Sequence, residues 1–437
     1  MKQTAFFEKI ADQQLAVNRR AFLGTGVSAV LGSQWVFAEA TAKRPQILLR
    51  SSWQTVNIGD IAHTPGVLAL LEKHIPEAEV RLWPSKVTDG VDAILAARFP
   101  KLKIVSNADE LKAAFSECDF LLHGSGPSLV AEKDVVKWAA ATGKPYGVYG
   151  ITLPQQSSTA TQPAPDSVFE KTIGVLNNAR FVFFRDGVSL ELAKRKGCSA
   201  PVMGFAPDGA FATDLRDDSK AAAFLKEHAL EDEQFLCCIA RLRFSEYWKM
   251  KPGVALDEVK HARNEAMREH DLAPLRAAIV EVVRNTKMKV LLCPEDSSQM
   301  VVNRVNLYDK LPEDVKARVV WRSTYWLPGE ALSVYVRSAG LFGAEMHSPI
   351  MCIGSGIPAV VCRWAEQTSK GFMWRDIGLE EWLFTLDNEE ELPRVAPAVL
   401  AIAKNPAAAK AKAALGRDAV LKHQQSTMAV LRKELGL

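Results

Sequence analysis

Short apolar runs alternate with longer amphipathic ones along most of this chain. Gln46–Leu49, Glu79–Leu82, Phe120–Leu122, Tyr146–Tyr149, Phe181–Phe184 and Pro201–Gly204 read as strands. The most apolar of them are continuous rather than alternating, the pattern of a sheet covered on both faces. Helical stretches lie between. Thr64-Pro65 opens one, with Thr as cap and Pro at the first helical position. Val67, Leu68, Leu70 and Leu71 form its apolar face, and Ile75-Pro76 ends it. Val188–Arg195 is a second, closed by Lys196-Gly197. Charge density then rises from Asp214 to Glu233, and a new series begins. Phe235–Ala240, Lys289–Cys293, Val319–Trp321, Gly340–Ala344 and Ala359–Cys362 read as strands, and Leu275–Val283 as an amphipathic helix. Alternating strands and helices predict parallel sheets. Two such series predict an α/β chain of two Rossmann-like domains facing a central cleft. The expected boundaries are residues 45–213 for the first domain, 214–233 for a linker with an exposed helix, and 234–390 for the second domain. Surface helices are expected over 391–437.

The first forty residues follow different rules. Asn18-Arg19-Arg20-Ala21-Phe22-Leu23-Gly24 precedes an uncharged stretch, Thr25–Ala38, and Ala38-Glu39-Ala40 fits a small-residue cleavage site. Paired arginines, then Phe-Leu, then a modest apolar run form a twin-arginine export signal. Residues 1–40 are therefore expected to be a signal, and the protein to be periplasmic with no membrane span once it is cleaved. The 54 basic and 51 acidic residues balance too closely to favour nucleic acid or an anionic membrane by bulk charge. Seven cysteines, at positions 118, 198, 237, 238, 293, 352 and 362, sit mostly in apolar runs without a C-x-x-C pair. Buried free thiols are the expectation, with no disulfide framework and no zinc site on cysteine spacing. No cofactor or metal is implied.

In open α/β sheets ligands lie outside the carboxyl ends of the strands. Asn57-Ile58-Gly59-Asp60 follows the first strand, His123-Gly124-Ser125-Gly126 a central one, and Asp208 the last of the first series. Glycine lets backbone approach a ligand, and a helix N-terminus offers N–H donors to an anion. In the second series Arg241 and Arg243 end the first strand, where two guanidiniums on one side would suit a carboxylate or phosphate. Glu345-Met346-His347 forms the tip of another. His347 is the foremost candidate general acid or base, with Glu345 beside it and His123 second. His63 is a further candidate near the Gly59-Asp60 turn. Gln367–Phe372 lies past the last apolar strand, where it could cover the cleft. There is no Walker motif, nucleophile elbow or H-E-x-x-H.

In order, Asn57-Ile58-Gly59-Asp60, the strand and glycine loop from Asp119 to Gly126, Tyr146–Gly150, Phe184–Ser189, Pro207–Phe211, Ala344–His347, Gly356-Ile357-Pro358 and Lys370 resemble the polysaccharide pyruvyl transferase family over about residues 48–386. The resemblance implies a GT-B-like fold and transfer of an enolpyruvyl-derived group from phosphoenolpyruvate to a sugar of a polysaccharide or oligosaccharide. It implies His347 as the family's acid/base histidine, and Arg241 and Arg243 as holders of the anionic donor. Where the family carries arginine two residues before that histidine, this chain has Glu345. An exported protein also works apart from cytoplasmic phosphoenolpyruvate. Two other uses of the same cleft remain open at this point: glycan cleavage by a Glu345/His347 pair, and carbohydrate binding without catalysis.

Overall fold

The computed structural model describes residues 44–154 and 166–437. The expected export signal lies outside them. The first half is a seven-stranded parallel sheet of β1 (Gln46–Ser51), β2 (Glu79–Pro84), β3 (Lys103–Ile104), β4 (Phe120–His123), β5 (Tyr146–Ile151), β6 (Val182–Phe184) and β7 (Met203–Phe205). Its spatial order is β3-β2-β1-β4-β5-β6-β7. The second half is a six-stranded parallel sheet of β8 (Phe235–Ile239), β9 (Lys289–Leu292), β10 (Val319–Trp321), β11 (Gly340–Gly343), β12 (Ala359–Arg363) and β13 (Leu383–Thr385), ordered β10-β9-β8-β11-β12-β13.

The central strands are as apolar as their sequences demand. Ile47, Leu48 and Leu49 of β1 and Cys237, Cys238 and Ile239 of β8 are fully buried, with helices covering both faces. All seven cysteines are buried and free. In each sheet the order reverses once, between β1 and β4 and between β8 and β11. A crevice opens at such a reversal because the flanking connections leave in opposite directions. The residues following these four strands therefore line the place where a ligand fits.

The halves are joined at that place. The helix Ile58–His74 follows β1, and the Ile58 backbone N–H donates to the Glu295 carbonyl at 2.9 Å. Asn57 pairs with Asp296 as an isolated antiparallel bridge. Ile58, Ala62, Ala210 and Phe211 of the first half belong to the same apolar core as the second sheet. Glycine permits the tightest approach: a Cβ on Gly354 would stand 2.0 Å from the Phe211 carbonyl oxygen. The last helix, Pro406–Glu434, returns to the first half. Its Met428 and Leu431 are buried in the first half's core, each worth roughly 2 kcal/mol. Arg432 closes the contact on Glu77 at 2.6 Å.

The segment expected as a linker is more than that. It carries the helix Asp218–Glu227, whose Ala221 and Leu225 are buried in the core of the second half. Its high charge belongs to the outer face only. Among the described residues no helix is long and apolar enough to cross a membrane.

Candidate active site at the meeting of the two sheets

His347 is the first residue of the helix His347–Gly354, directly after β11. Its ring meets the helix Ile58–His74 across the cleft. A Cβ on Gly59 would fall 2.2 Å from His347 Nδ1, so only glycine lets the ring occupy this position. Asn57 makes the approach possible by capping that helix: its Oδ1 accepts from the Gly59 and Asp60 N–H groups at 2.7 and 3.2 Å. One turn further on, His63 places its ring edge-on to His347, with centroids 4.8 Å apart.

Both rings are anchored by carboxylates through the same nitrogen. His347 Nδ1 lies 3.1 Å from Glu295 Oε1, and Glu295 Oε2 accepts from the Ser348 N–H at 2.7 Å. His63 Nδ1 lies 2.8 Å from Asp208 Oδ1 and 2.8 Å from Ser125 Oγ. Asp208 is held in turn by Arg185 at 2.6 Å. Burial pushes the Asp208 carboxyl up, but His63 and Arg185 outweigh it and hold the group well below the ordinary range. Burial, reinforced by Lys370 and His63, keeps the His347 imidazole well below its usual value and therefore neutral. Nε2 of each ring is buried and has no hydrogen-bond partner.

Glu345 lies beside this pair without facing it freely. Its Oε2 accepts from Arg241 at 3.0 Å and its Oε1 from Gln299 at 2.5 Å. Burial pushes its carboxyl up to about 7 against the pull of Arg241. Burial and the nearby Glu345 charge raise Asp296 to about 6. Burial also lowers Lys370, with Arg241 and Arg185 adding to the effect. The cleft thus collects Arg241, Arg185 and Lys370 against Glu345, Asp296 and Asp60. Ser369, next to Lys370, reaches Ser189 of the first half at 3.2 Å, so the Gln367–Phe372 segment spans both halves.

Several residues chosen from sequence have other duties. Arg243 is no partner to Arg241. Its guanidinium, 1% exposed, is taken up by Asp271 at 2.8 Å, Asp387 at 2.7 Å and Glu366 at 3.1 Å. β8 ends at Ile239, so the two-residue alternation assumed for the pair stops before it reaches them. Ser125 supports His63, while Gly124 and Gly126 hydrogen-bond to the Arg50 and Gly150 carbonyls. Sequence reasoning gave no role to Glu295, Gln299 or Arg185, although the first and last stand in motifs that it noted, and it gave His63 too little weight. The Asp60-x-x-His63 spacing, which puts both on one helical face, was the available signal.

His123 is stacked on Trp53 with centroids 5.2 Å apart, and its Nε2 accepts from the Ala131 N–H at 3.3 Å. This packing within the first half makes it a structural histidine. Burial lowers its pKa to about 3. Unfolded, the ring takes a proton below about pH 6.5; folded, it resists until near pH 3. Its stabilising effect is therefore complete above pH 6.5 and is lost as pH falls, about 3 kcal/mol by pH 4. His123→Gln, which keeps an acceptor, is expected to flatten the fall in urea midpoint between pH 6.5 and 4. An unchanged slope would contradict this role.

The sequence model of the polysaccharide pyruvyl transferase family matches residues 57–366. No curated protein matches. Among solved structures, the chain is similar to Anabaena HepE in complex with UDP, with TM-score 0.53, 10% identity, and coverage of 89% of this chain and 100% of that one. It is also similar to S. aureus MnaA in complex with UDP, with TM-score 0.51, 12% identity, and coverage of 83% and 92%. A third is Phytolacca americana UGT2 with UDP-2fluoro-glucose and pterostilbene, with TM-score 0.52, 13% identity, and coverage of 90% and 100%. At these identities the likeness is one of fold, and that fold is GT-B.

Proposed function

The chain belongs to the polysaccharide pyruvyl transferase family, and we propose that it transfers a pyruvyl group from phosphoenolpyruvate to sugar hydroxyls of a glycan. The observation that carries this reading is the convergence of both sheets' crevices on one imidazole pair flanked by Arg241 and Lys370. Those cations suit a donor carboxylate and phosphate, and Arg241 Nε is buried without a partner of its own. Glu345 does not cancel this attraction outright, because Arg241 and Gln299 occupy both its oxygens.

The reaction balances without a further reactant. One sugar hydroxyl adds to the enol carbon as the methylene becomes methyl, and a second displaces phosphate. The products are a pyruvate ketal and inorganic phosphate. In this reading His63 and His347 take the acceptor's proton at Nε2, the nitrogen that each ring leaves without a partner. A Glu345/His347 cleavage pair is less well supported, because Glu345 presents no free oxygen to a glycosidic bond. Arg19-Arg20 and the small-residue stretch after them support export, and an exported enzyme must have its phosphoenolpyruvate delivered from the cytoplasm.

The purified protein is expected to gain thermal stability with millimolar phosphoenolpyruvate, by about 2.7 kcal/mol at one hundred times Kd. It should release phosphate only when an oligosaccharide acceptor is present. No shift and no phosphate would overturn the donor assignment. A shift with UDP-glucose instead would replace it with a nucleotide-sugar donor.

A further inference from the structure

We propose that Asp60, His63 and His347 form a binding site for one divalent first-row transition-metal ion. The inference concerns the same cleft as the transferase reading but does not depend on the identity of the donor. Each of the three side chains offers a ligand atom, and these atoms all lie within 4.8 Å of one another. They come from both halves of the molecule, Asp60 and His63 from the helix after β1 and His347 from the tip of β11.

Proximity alone would not distinguish a site from a chance cluster. The second observation is how the rings are held. A histidine that ligates a metal through one nitrogen donates its other N–H to a carboxylate or carbonyl, which fixes the tautomer and turns the ring. Both histidines here do this with buried carboxylates: His63 Nδ1 with Asp208 at 2.8 Å and His347 Nδ1 with Glu295 at 3.1 Å. In each ring Nε2 is the nitrogen left over, buried and without a partner. Two such nitrogens unsatisfied in one cluster are costly, and a shared ion satisfies both.

Asp60 completes the set from a half-buried position. In a tetrahedral shell an ion about 2.1 Å from three donors holds them about 3.4 Å apart, so the widest pair of the three must close by roughly 1.4 Å as the ion enters. Two imidazoles and one carboxylate suit zinc, iron(II) or cobalt(II) rather than magnesium or calcium, which prefer all-oxygen shells. Three protein ligands leave a coordination position for one further ligand. A sugar hydroxyl bound there would lose its proton more readily than in water; with the ion in place the two Nε2 atoms hold metal instead of taking that proton, so the ion replaces the bare rings as the activating group.

Full-length protein stripped with a chelator and titrated with cobalt(II) tests this by visible absorption and calorimetry. One equivalent is expected to bind with a d–d band of low-coordinate cobalt, and zinc(II) should displace it. His63→Ala, His347→Ala and Asp60→Ala should each weaken binding at least about a hundredfold. Glu295→Gln, which keeps the shape but loses the charge behind His347, should weaken it by about 10–100-fold. Thermal unfolding of each variant identifies any that fails to fold, and Glu295→Gln stands in for His347→Ala in that case. His270→Ala, whose ring pairs with Asp271 and Glu389 away from these ligands, should leave metal binding unchanged. Absence of a bound equivalent at 100 µM cobalt(II), or binding indifferent to all four substitutions, overturns the proposal. Metal binding without phosphoenolpyruvate turnover supports it and removes only the donor assignment. Full turnover in chelator-treated protein overturns a role for the ion in the reaction.

Discussion

Gly59→Ala is expected to lower turnover at least about a hundredfold, although residue 59 carries no chemistry. The added methyl would sit 2.2 Å from His347 Nδ1 and 2.3 Å from its Cβ, so the ring or the helix must give way. A displacement of about 1 Å of a reacting group costs on the order of a hundredfold in rate. The same overpacking should cost about 1–3 kcal/mol of stability, leaving a folded protein. Steady-state phosphate release, alongside thermal unfolding, separates the two effects. Gly174→Ala is the control, because nothing lies within 4 Å of its new methyl. Near-normal turnover in Gly59→Ala would mean that His347 is not held where the chemistry needs it.

Arg243→Met should be the most destabilising of the single substitutions considered, by about 3–5 kcal/mol, with little effect on donor affinity in the protein that remains folded. Among the described residues its guanidinium and the His270 ring are the basic groups paired with the buried Asp271, and it also meets Glu366 and Asp387. Removing one partner from a buried network leaves charges uncompensated, and this costs far more than the net worth of the intact pair. Urea unfolding at neutral pH measures the loss. Arg241→Met should behave in the opposite way, weakening phosphoenolpyruvate binding while costing less stability. If Arg243→Met leaves the urea midpoint unchanged, the network is not structural and the residue returns to the list of donor ligands.

These two arginines show where the sequence was readable and where it was not. The sheets were legible because a strand buried on both faces can be little else than a short apolar run. The location of the site followed from the same logic, since residues just past such runs must lie at the carboxyl ends. His347, Glu345, Asp60 and Lys370 are all brought to the cleft for that reason. What lay beyond reading was which way each side chain turns once the strand has ended. Arg241 and Arg243 are two residues apart, yet they leave in different directions because the extended backbone stops at Ile239. Asp271, Glu366 and Asp387 reach Arg243 from three separate elements, and no local pattern announces such a meeting. His123 looked like a cleft residue because it ends a strand, but Trp53 and the Ala131 N–H claim its ring. His63 carried a weak mark of its importance in the Asp60-x-x-His63 spacing, whereas Glu295 gains its role only when the two halves close on each other.

The return of the last helix to the first half bears on how the chain comes to be made. Met428 and Leu431 fill part of the core around β1 and β4, about three hundred residues after β4 and nearly four hundred after β1 is synthesised. A first half emerging from the ribosome therefore has an apolar groove on its surface throughout elongation, and it cannot close until the final helix is released. Exposed apolar surface of this kind is what chaperones bind and what aggregates when unattended. Completion of the N-terminal half thus waits on a helix that is made long after it. A product truncated before that helix would announce itself by that groove.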